Sequence, residues 1–115
     1  MKTKFLIFAL ALLSYTFVNG QDYYKDLDNK AKAYTEQMVT ALDLTENQQE
    51  LIHRQNMVWL ERETRYEKLE EKTAEIKGHM ENSRQEYIKN VTNTLTDDQQ
   101  VAFKAWLKKS KLLKY

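Results

Sequence analysis

The chain has 115 residues, which is enough for one domain at most. Its 18 basic and 17 acidic residues give a formal net charge of +1. This balance argues against broad nucleic-acid binding, which depends on neutralising phosphates. Cysteine is absent, which excludes a small module held together by disulfides.

The N-terminal segment has the composition of an export signal. Lys2 and Lys4 precede an unbroken apolar run over residues 5–13, and a more polar stretch ends at the small residue Gly20. The apolar run is short for a helix that crosses a hydrocarbon core of about 30 Å. Cleavage is therefore favoured over the alternative of a retained anchor.

We expect a cleaved signal peptide over residues 1–20 and a single helical domain over residues 21–115. Loss of the two signal lysines leaves 16 basic and 17 acidic residues, a formal charge of −1. An exported chain without cysteine fits a bacterial periplasm better than a eukaryotic secretory route. The predicted location is thus the periplasm, with no stable membrane insertion after cleavage.

The composition of the mature chain is that of an all-helical protein. Proline is absent, and Gly78 is the only glycine after the predicted signal peptide. A first helix is predicted over residues 22–42, because apolar residues recur there at alternating spacings of three and four and so share one stripe. The stripe consists of Tyr24, Leu27, Ala31, Tyr34, Met38 and Ala41.

A short motif occurs twice and marks two helix starts. Residues 44–49 (LTENQQ) return 51 positions later as residues 95–100 (LTDDQQ). In each copy Thr is followed three residues later by Gln, the pattern of a reciprocal capping box. The acidic residues between them suit a first helical turn, where the helix dipole favours negative charge. The predicted motif and helix-cap residues are Leu44, Thr45, Gln48, Leu95, Thr96 and Gln99.

Residues 46–92, between the motifs, are predicted to form one long central helix. Ile52, Trp59, Tyr66, Thr73, Met80 and Tyr87 recur at every seventh position, and Leu69 and Ile76 add part of a second seam. At 1.5 Å per residue such a helix extends roughly 70 Å. Gly78 is its weak point, so a kink near residues 77–79 and a continuous helix are the two alternatives.

The last helix is predicted over residues 97–113. Its apolar side is formed by Ala102, Phe103, Trp106, Leu107 and Leu113. Lysines crowd its C-terminal half at positions 104, 108, 109, 111 and 114. Acid at the start and base at the end match the helix dipole, although a basic amphipathic helix can also lie on a membrane.

The predicted fold is all-α. Two shorter flanking helices pack on the two halves of the long central helix, which gives an elongated antiparallel layer. A single layer leaves many aromatic side chains half-exposed, and this favours self-association as a homodimer.

The two motifs, the helical pattern and the export signal resemble the LTxxQ-motif family of small periplasmic proteins, the Spy/CpxP-like proteins. The resemblance implies an ATP-independent chaperone of the envelope stress response and an antiparallel, cradle-shaped homodimer. It also implies two alternatives: an accessory protein that binds the periplasmic domain of a sensor kinase, and a metal-binding relative of the same fold. A structural element of the envelope that binds no client is a further possibility.

Little in the sequence points to catalysis. There is no cysteine, the mature chain has two serines, and no Gly-rich phosphate loop is present. We expect no enzyme activity and no cofactor. His53 and Met57 share a helix face and are weak candidates for a soft metal ion, but a structural site needs about four ligands, so no metal site is predicted.

The predicted function is the holding of unfolded or partly folded proteins without ATP. A surface that mixes aromatic side chains with both signs of charge can bind many sequences weakly. The candidate client-binding residues are Trp59, Arg62, Tyr66, Leu69, Ile76, Met80 and Tyr87. Each of them has an alternative place in the protein core or in the dimer interface.

Overall fold

The computed structural model describes residues 2–113, with side chains for residues 22–113. Over this part of the chain all regular structure is helical, as predicted. The elements are α1 (Lys2–Leu42), α2 (Glu46–Glu67), α3 (Ala74–Thr92) and α4 (Asp97–Lys109).

The predicted signal peptide lies outside the residues whose side chains are described. In the described part of the chain, no helix combines the length and the apolar character needed to cross a membrane.

The helices share one hydrophobic core. Helix α1 packs on both α2 and α4, and α3 packs on α2. The ring of Phe103 in α4 lies 6.5 Å from the ring of Tyr87 in α3, so the last helix also meets the third. Helix α1 thus packs on the first half of the predicted central helix, as expected, whereas α4 packs mainly on α1 rather than on the second half.

The predicted central helix is two helices. Helix α2 ends at Glu67, and α3 begins after Thr73, whose hydroxyl accepts a hydrogen bond of 3.2 Å from the Ile76 amide. Helix α3 continues through Gly78, so the break does not lie at the predicted residues 77–79. In a continuous helix the glutamates at 63, 67, 71 and 75 would follow one another at i+4, and this repulsive row is interrupted by the break.

The chain reversal also explains the seven-residue spacing. Ile52, Trp59 and Tyr66 are buried along α2, and Met80 and Tyr87 are buried along α3. The Trp59 and Tyr87 rings are 6.3 Å apart, so the two halves of the predicted seam pack on each other within one chain. Thr73, the middle member of the series, is exposed and serves as a cap.

Helix α1 buries most of the predicted stripe. Leu27, Ala31 and Met38 lie in the core, whereas Tyr24 and Ala41 at the two ends of the stripe are exposed. The middle of the helix thus packs as its periodicity predicts.

A buried polar chain joins three helices. The Asn56 amide on α2 donates to the Thr35 hydroxyl on α1 over 2.9 Å, and the Tyr87 hydroxyl on α3 donates to the Asn56 side-chain oxygen. Thr35 in turn donates to the Ala31 carbonyl over 2.7 Å. Burial raises the pKa of Tyr87, which keeps its hydroxyl protonated as a donor. These hydrogen bonds fix the alignment of α1, α2 and α3. Each of the buried polar groups has a partner, so none is left unsatisfied.

Helix α4 ends earlier than predicted, at Lys109. Ser110 adopts an extended backbone, and its hydroxyl accepts a hydrogen bond of 3.0 Å from the Leu112 amide. The Leu112 side chain is buried, and its carbonyl accepts a hydrogen bond of 2.7 Å from the Trp59 indole. The chain after α4 is thereby attached to the middle of α2. Lys114, in the predicted basic cluster, lies outside the described residues.

Candidate client-binding surface

Both predicted capping boxes are present. At the start of α2, the Gln48 amide donates to the Thr45 hydroxyl over 3.2 Å, and the Thr45 amide donates to the Gln48 side-chain oxygen over 3.0 Å. The start of α4 repeats this pair between Thr96 and Gln99 at 3.3 and 3.0 Å. The motif therefore determines where each helix begins.

The two motifs also bind each other. The Gln48 side-chain amide donates to the Gln99 side-chain oxygen over 2.7 Å, and Gln99 returns a bond of 3.0 Å. Gln48 also donates to the Thr94 carbonyl in the opposite turn over 2.8 Å, and Gln99 donates to the Asp43 carbonyl over 3.2 Å. We call this paired arrangement of residues 43–48 and 94–99 the motif junction.

The remaining motif residues support the same end of the bundle. Leu44 and Leu95 are buried beside the two turns. All six predicted motif residues thus have structural contacts, and the motif junction holds the α1–α2 turn against the α3–α4 turn. The opposite end of the α2–α3 pair has no such arrangement among the described residues.

A surface hollow of about 310 Å³ lies between the C-terminal half of α2 and the N-terminal half of α3. We call it the α2–α3 hollow. Its lining residues are Arg62, Arg65, Tyr66, Leu69, Ile76, His79, Met80 and Ser83. Five of the seven predicted client-binding residues are brought together here: Arg62, Tyr66, Leu69, Ile76 and Met80.

Apolar side chains line the hollow at graded depth. Tyr66 and Met80 are buried, Ile76 is half-buried, and Leu69, in the connection between the helices, is 41% exposed. The Lys72 ammonium lies 5.3 Å from the centre of the Tyr66 ring and donates to the Leu69 carbonyl over 3.0 Å. These contacts hold the connection beside the floor of the hollow while leaving Leu69 accessible.

Basic side chains at the rim of the hollow are each near a carboxylate. Arg62 pairs with Glu86 on α3 over 3.1 Å, a contact that bridges the two helices. Arg65 pairs with Glu61 one turn earlier on the same helix. The His79 ring is 3.8 Å from the Glu75 carboxylate. The hollow thus combines an apolar floor with polar groups at its edge, as binding pockets commonly do.

Trp59 and Tyr87, the other two predicted client-binding residues, lie in the core instead. Both are almost completely inaccessible, at 1% and 3% exposure. The indole of Trp59 and the hydroxyl of Tyr87 are used in internal hydrogen bonds. A client does not reach them in this fold, because the reversal of α3 onto α2 covers this part of the seam.

Three lining residues were missed by the sequence reasoning: Arg65, His79 and Ser83. The prediction followed positions seven residues apart, which trace a single line along a helix. The neighbouring i+3 and i+4 positions complete the face. Applied from Arg62 and from Ile76, that spacing identifies Arg65 and His79. Ser83 lies seven residues after Ile76, on the seven-residue line itself, and was left out because it is polar.

The weak metal candidates do not come together with further ligands. His53 is 2.9 Å from an Asp28 carboxylate oxygen, and Lys32 is 3.0 Å from the other oxygen. The hydrogen bonds from Lys32 and His53 lower the pKa of Asp28. Met57 is half-buried against the core. Within residues whose side chains are described, no group of three or more His, Cys, Asp or Glu residues is placed to hold a metal ion.

A second hollow, of about 400 Å³, lies beside His53 between α1 and α2. Its lining residues are Lys32, Thr35, Glu36, Glu46, Gln49, Glu50 and His53. All of these are polar or charged, with both signs present. Apolar contact in this hollow comes only from the aliphatic parts of these side chains, whereas the α2–α3 hollow has four apolar side chains. The α2–α3 hollow is therefore the better binding surface for an apolar segment.

We compared the chain with protein-family models, with curated proteins and with solved structures, and none of the three comparisons gives a match.

Proposed function

We propose that this protein holds partly unfolded proteins without ATP, and that the α2–α3 hollow receives their apolar side chains. The observation that carries the proposal is the convergence of four apolar side chains, among them the exposed Leu69, and two arginines in one hollow. Burying the apolar surface of both partners favours the complex by roughly 25 cal/mol per Å². The arginines keep the rim hydrated and speed the encounter.

The proposal includes an exported, periplasmic protein of the LTxxQ type that acts in the envelope stress response and has no catalytic activity. Its support is the resemblance of the two motifs together with the signal-like N-terminal segment. A client would then leave by folding or by mass action.

We also propose that the protein works as a homodimer, which the resemblance to the LTxxQ-motif family implies is antiparallel. Its support is the pair of exposed apolar residues Leu51 and Val58, which lie seven residues apart on the outer face of α2. Sedimentation equilibrium tests this directly. A dimer that becomes a monomer in Leu51→Ser/Val58→Ser supports the proposal, and a monomer at all accessible concentrations contradicts it.

The holding function is tested by light scattering. A chemically denatured, unrelated protein is diluted into buffer with and without the purified protein, expressed from its full-length sequence. We expect roughly stoichiometric amounts to suppress scattering. Leu69→Ser should weaken suppression several-fold, because it removes an accessible apolar contact while leaving the core intact.

Val101→Ser is the matched control. Val101 is 70% exposed on α4 and does not line the α2–α3 hollow, so the same loss of apolar surface should leave suppression unchanged. Unchanged scattering with several clients would remove the holding function. Equal effects of the two substitutions would show that the α2–α3 hollow is not the binding site.

A further inference from the structure

We infer that the α2–α3 hollow selects apolar client segments that carry acidic residues. This inference rests on the proposed holding function and adds the chemistry of the client to it.

The charges on the rim contrast with the sequence around them. Residues 61–81, which contain most of the rim, have seven acidic and five basic residues. Yet the ionisable groups of this segment that line the hollow are Arg62, Arg65 and His79, together with the phenol of Tyr66. Among the described lining residues none is a carboxylate. Both arginines of this acid-rich segment therefore line the hollow, whereas its carboxylates do not.

The two arginines can accept a further partner. Each guanidinium has five N–H donors and uses one terminal nitrogen in its ion pair, Nη1 in Arg62 and Nη2 in Arg65. Both ion pairs are at the surface, where such pairs contribute little to stability. A client carboxylate can therefore share or replace Glu86 or Glu61, and the bond it forms is charge-assisted.

A third cation lies close to the Tyr66 ring. Lys72, in the connection between the helices, has its ammonium against the Tyr66 ring. Cations from α2 and from the connection thus both lie near the apolar floor. A segment with an acidic residue next to its apolar anchor matches this arrangement. A basic segment finds no carboxylate among the lining residues and would have to compete with the arginines for Glu86 and Glu61.

The size of the hollow sets the length of segment that it takes. At about 310 Å³ it is at the small end of the range for ligand pockets. It therefore accommodates a few side chains, and the carboxylate must lie close in sequence to the apolar residue that enters the hollow.

Three synthetic peptides of equal length test the inference. All three peptides have the same apolar residues. The flanking residues are Glu in the first peptide, Gln in the second and Lys in the third. Binding to the purified protein is measured by fluorescence anisotropy at low and at high salt. We expect the Glu peptide to bind about tenfold more tightly than the Lys peptide, with the Gln peptide between them and the differences reduced by salt.

Arg62→Gln/Arg65→Gln should abolish the preference for Glu, and Arg62→Lys/Arg65→Lys should retain it in part. The matched control is Lys108→Gln/Lys109→Gln on α4, which removes the same charge away from the hollow and should leave the preference unchanged. Circular dichroism shows whether each variant keeps its helices.

The outcomes separate the two proposals. Equal binding of the three peptides, or tighter binding of the Lys peptide, overturns the acidic preference while leaving the holding function in place. If no peptide binds and scattering of denatured clients is not suppressed either, the holding function itself fails.

Discussion

The two ends of the α2–α3 pair use the same kind of helix cap and differ in what surrounds it. At the motif junction, the backbone amides of Thr45 and Thr96 each donate a return bond to the side-chain oxygen of the glutamine three residues later. Thr73, at the hollow, is followed at that position by Ile76, so the cap is a single bond. The side chain that would complete the capping box is instead apolar and lines the hollow.

The difference indicates that the motif junction serves stability and the hollow serves binding. At the motif junction, polar side chains bind to each other and leave little for a ligand. At the hollow, apolar side chains are incompletely covered and the connection between helices is longer. Binding surfaces are commonly drawn from the less stable parts of a fold. We therefore expect substitutions at the motif junction to lower stability more than client binding, and substitutions at the hollow to lower client binding more than stability.

The largest effect should come from Trp59→Ala, in the core between the two ends. It removes a fully buried indole and leaves the Leu112 carbonyl without its donor. We expect a loss of about 3–5 kcal/mol in unfolding free energy, measured by urea denaturation. Retention of native stability with reduced client binding would contradict the buried position of Trp59.

The second test weakens the motif junction. Gln48→Ala and Gln99→Ala should each cost about 1–2 kcal/mol, and the double variant about 2–3 kcal/mol, because the second substitution finds the amide pair already broken. Gln49→Ala is the control, since its exposed side chain should change stability by less than about 0.5 kcal/mol. Strict additivity of the two substitutions would argue against direct pairing of the glutamines.

The third test concerns the buried polar chain. Tyr87→Phe leaves the Asn56 side-chain oxygen without its donor and should cost about 1–3 kcal/mol at neutral pH. Tyr24→Phe, at an exposed position, should be nearly neutral.

The same variant should alter the dependence on alkaline pH. Burial raises the pKa of Tyr87, so the folded protein keeps a proton that the unfolded chain releases near pH 10. The contribution of Tyr87 to the free energy of unfolding is therefore fully present below about pH 10 and is lost as the pH rises further. Urea denaturation above about pH 10 should show that the difference in unfolding free energy between wild type and Tyr87→Phe becomes smaller as the pH rises. A constant gap would contradict the prediction.

The smallest effect on stability is expected at the hollow. Thr73→Ala removes a single cap bond and should cost about 1 kcal/mol. Thr45→Ala, at the start of α2, disrupts a reciprocal box linked to the motif junction and should cost more. Thermal unfolding of the two variants makes the comparison. A larger loss for Thr73→Ala would mean that the hollow end is the better stabilised of the two.

Local features of the fold were predictable from the sequence, and relations between distant residues were not. The capping boxes were correctly predicted because a T-x-x-Q pattern and its hydrogen bonds lie within one helical turn. The contact between Gln48 and Gln99 joins residues 51 positions apart, and no local pattern indicates it.

The seven-residue series shows the same limit. It correctly predicted that Ile52, Trp59 and Tyr87 are apolar-seam positions, but spacing alone does not reveal whether the partner of a seam is another chain or the same chain folded back. Periodicity continued through Thr73, so the chain reversal was missed. The hollow was partly predicted because several of its residues belong to the seven-residue series on either side of the reversal.

The distance in sequence between contacting groups also has a consequence for how the molecule assembles. Arg62 and Glu86 are 24 residues apart, whereas the glutamines that hold the two turns together are 51 apart. Closing the shorter loop costs less chain entropy. The α2–α3 hairpin, and with it the hollow, should therefore form before the motif junction closes, so that an emerging chain displays its apolar surface while its last helix is still undocked.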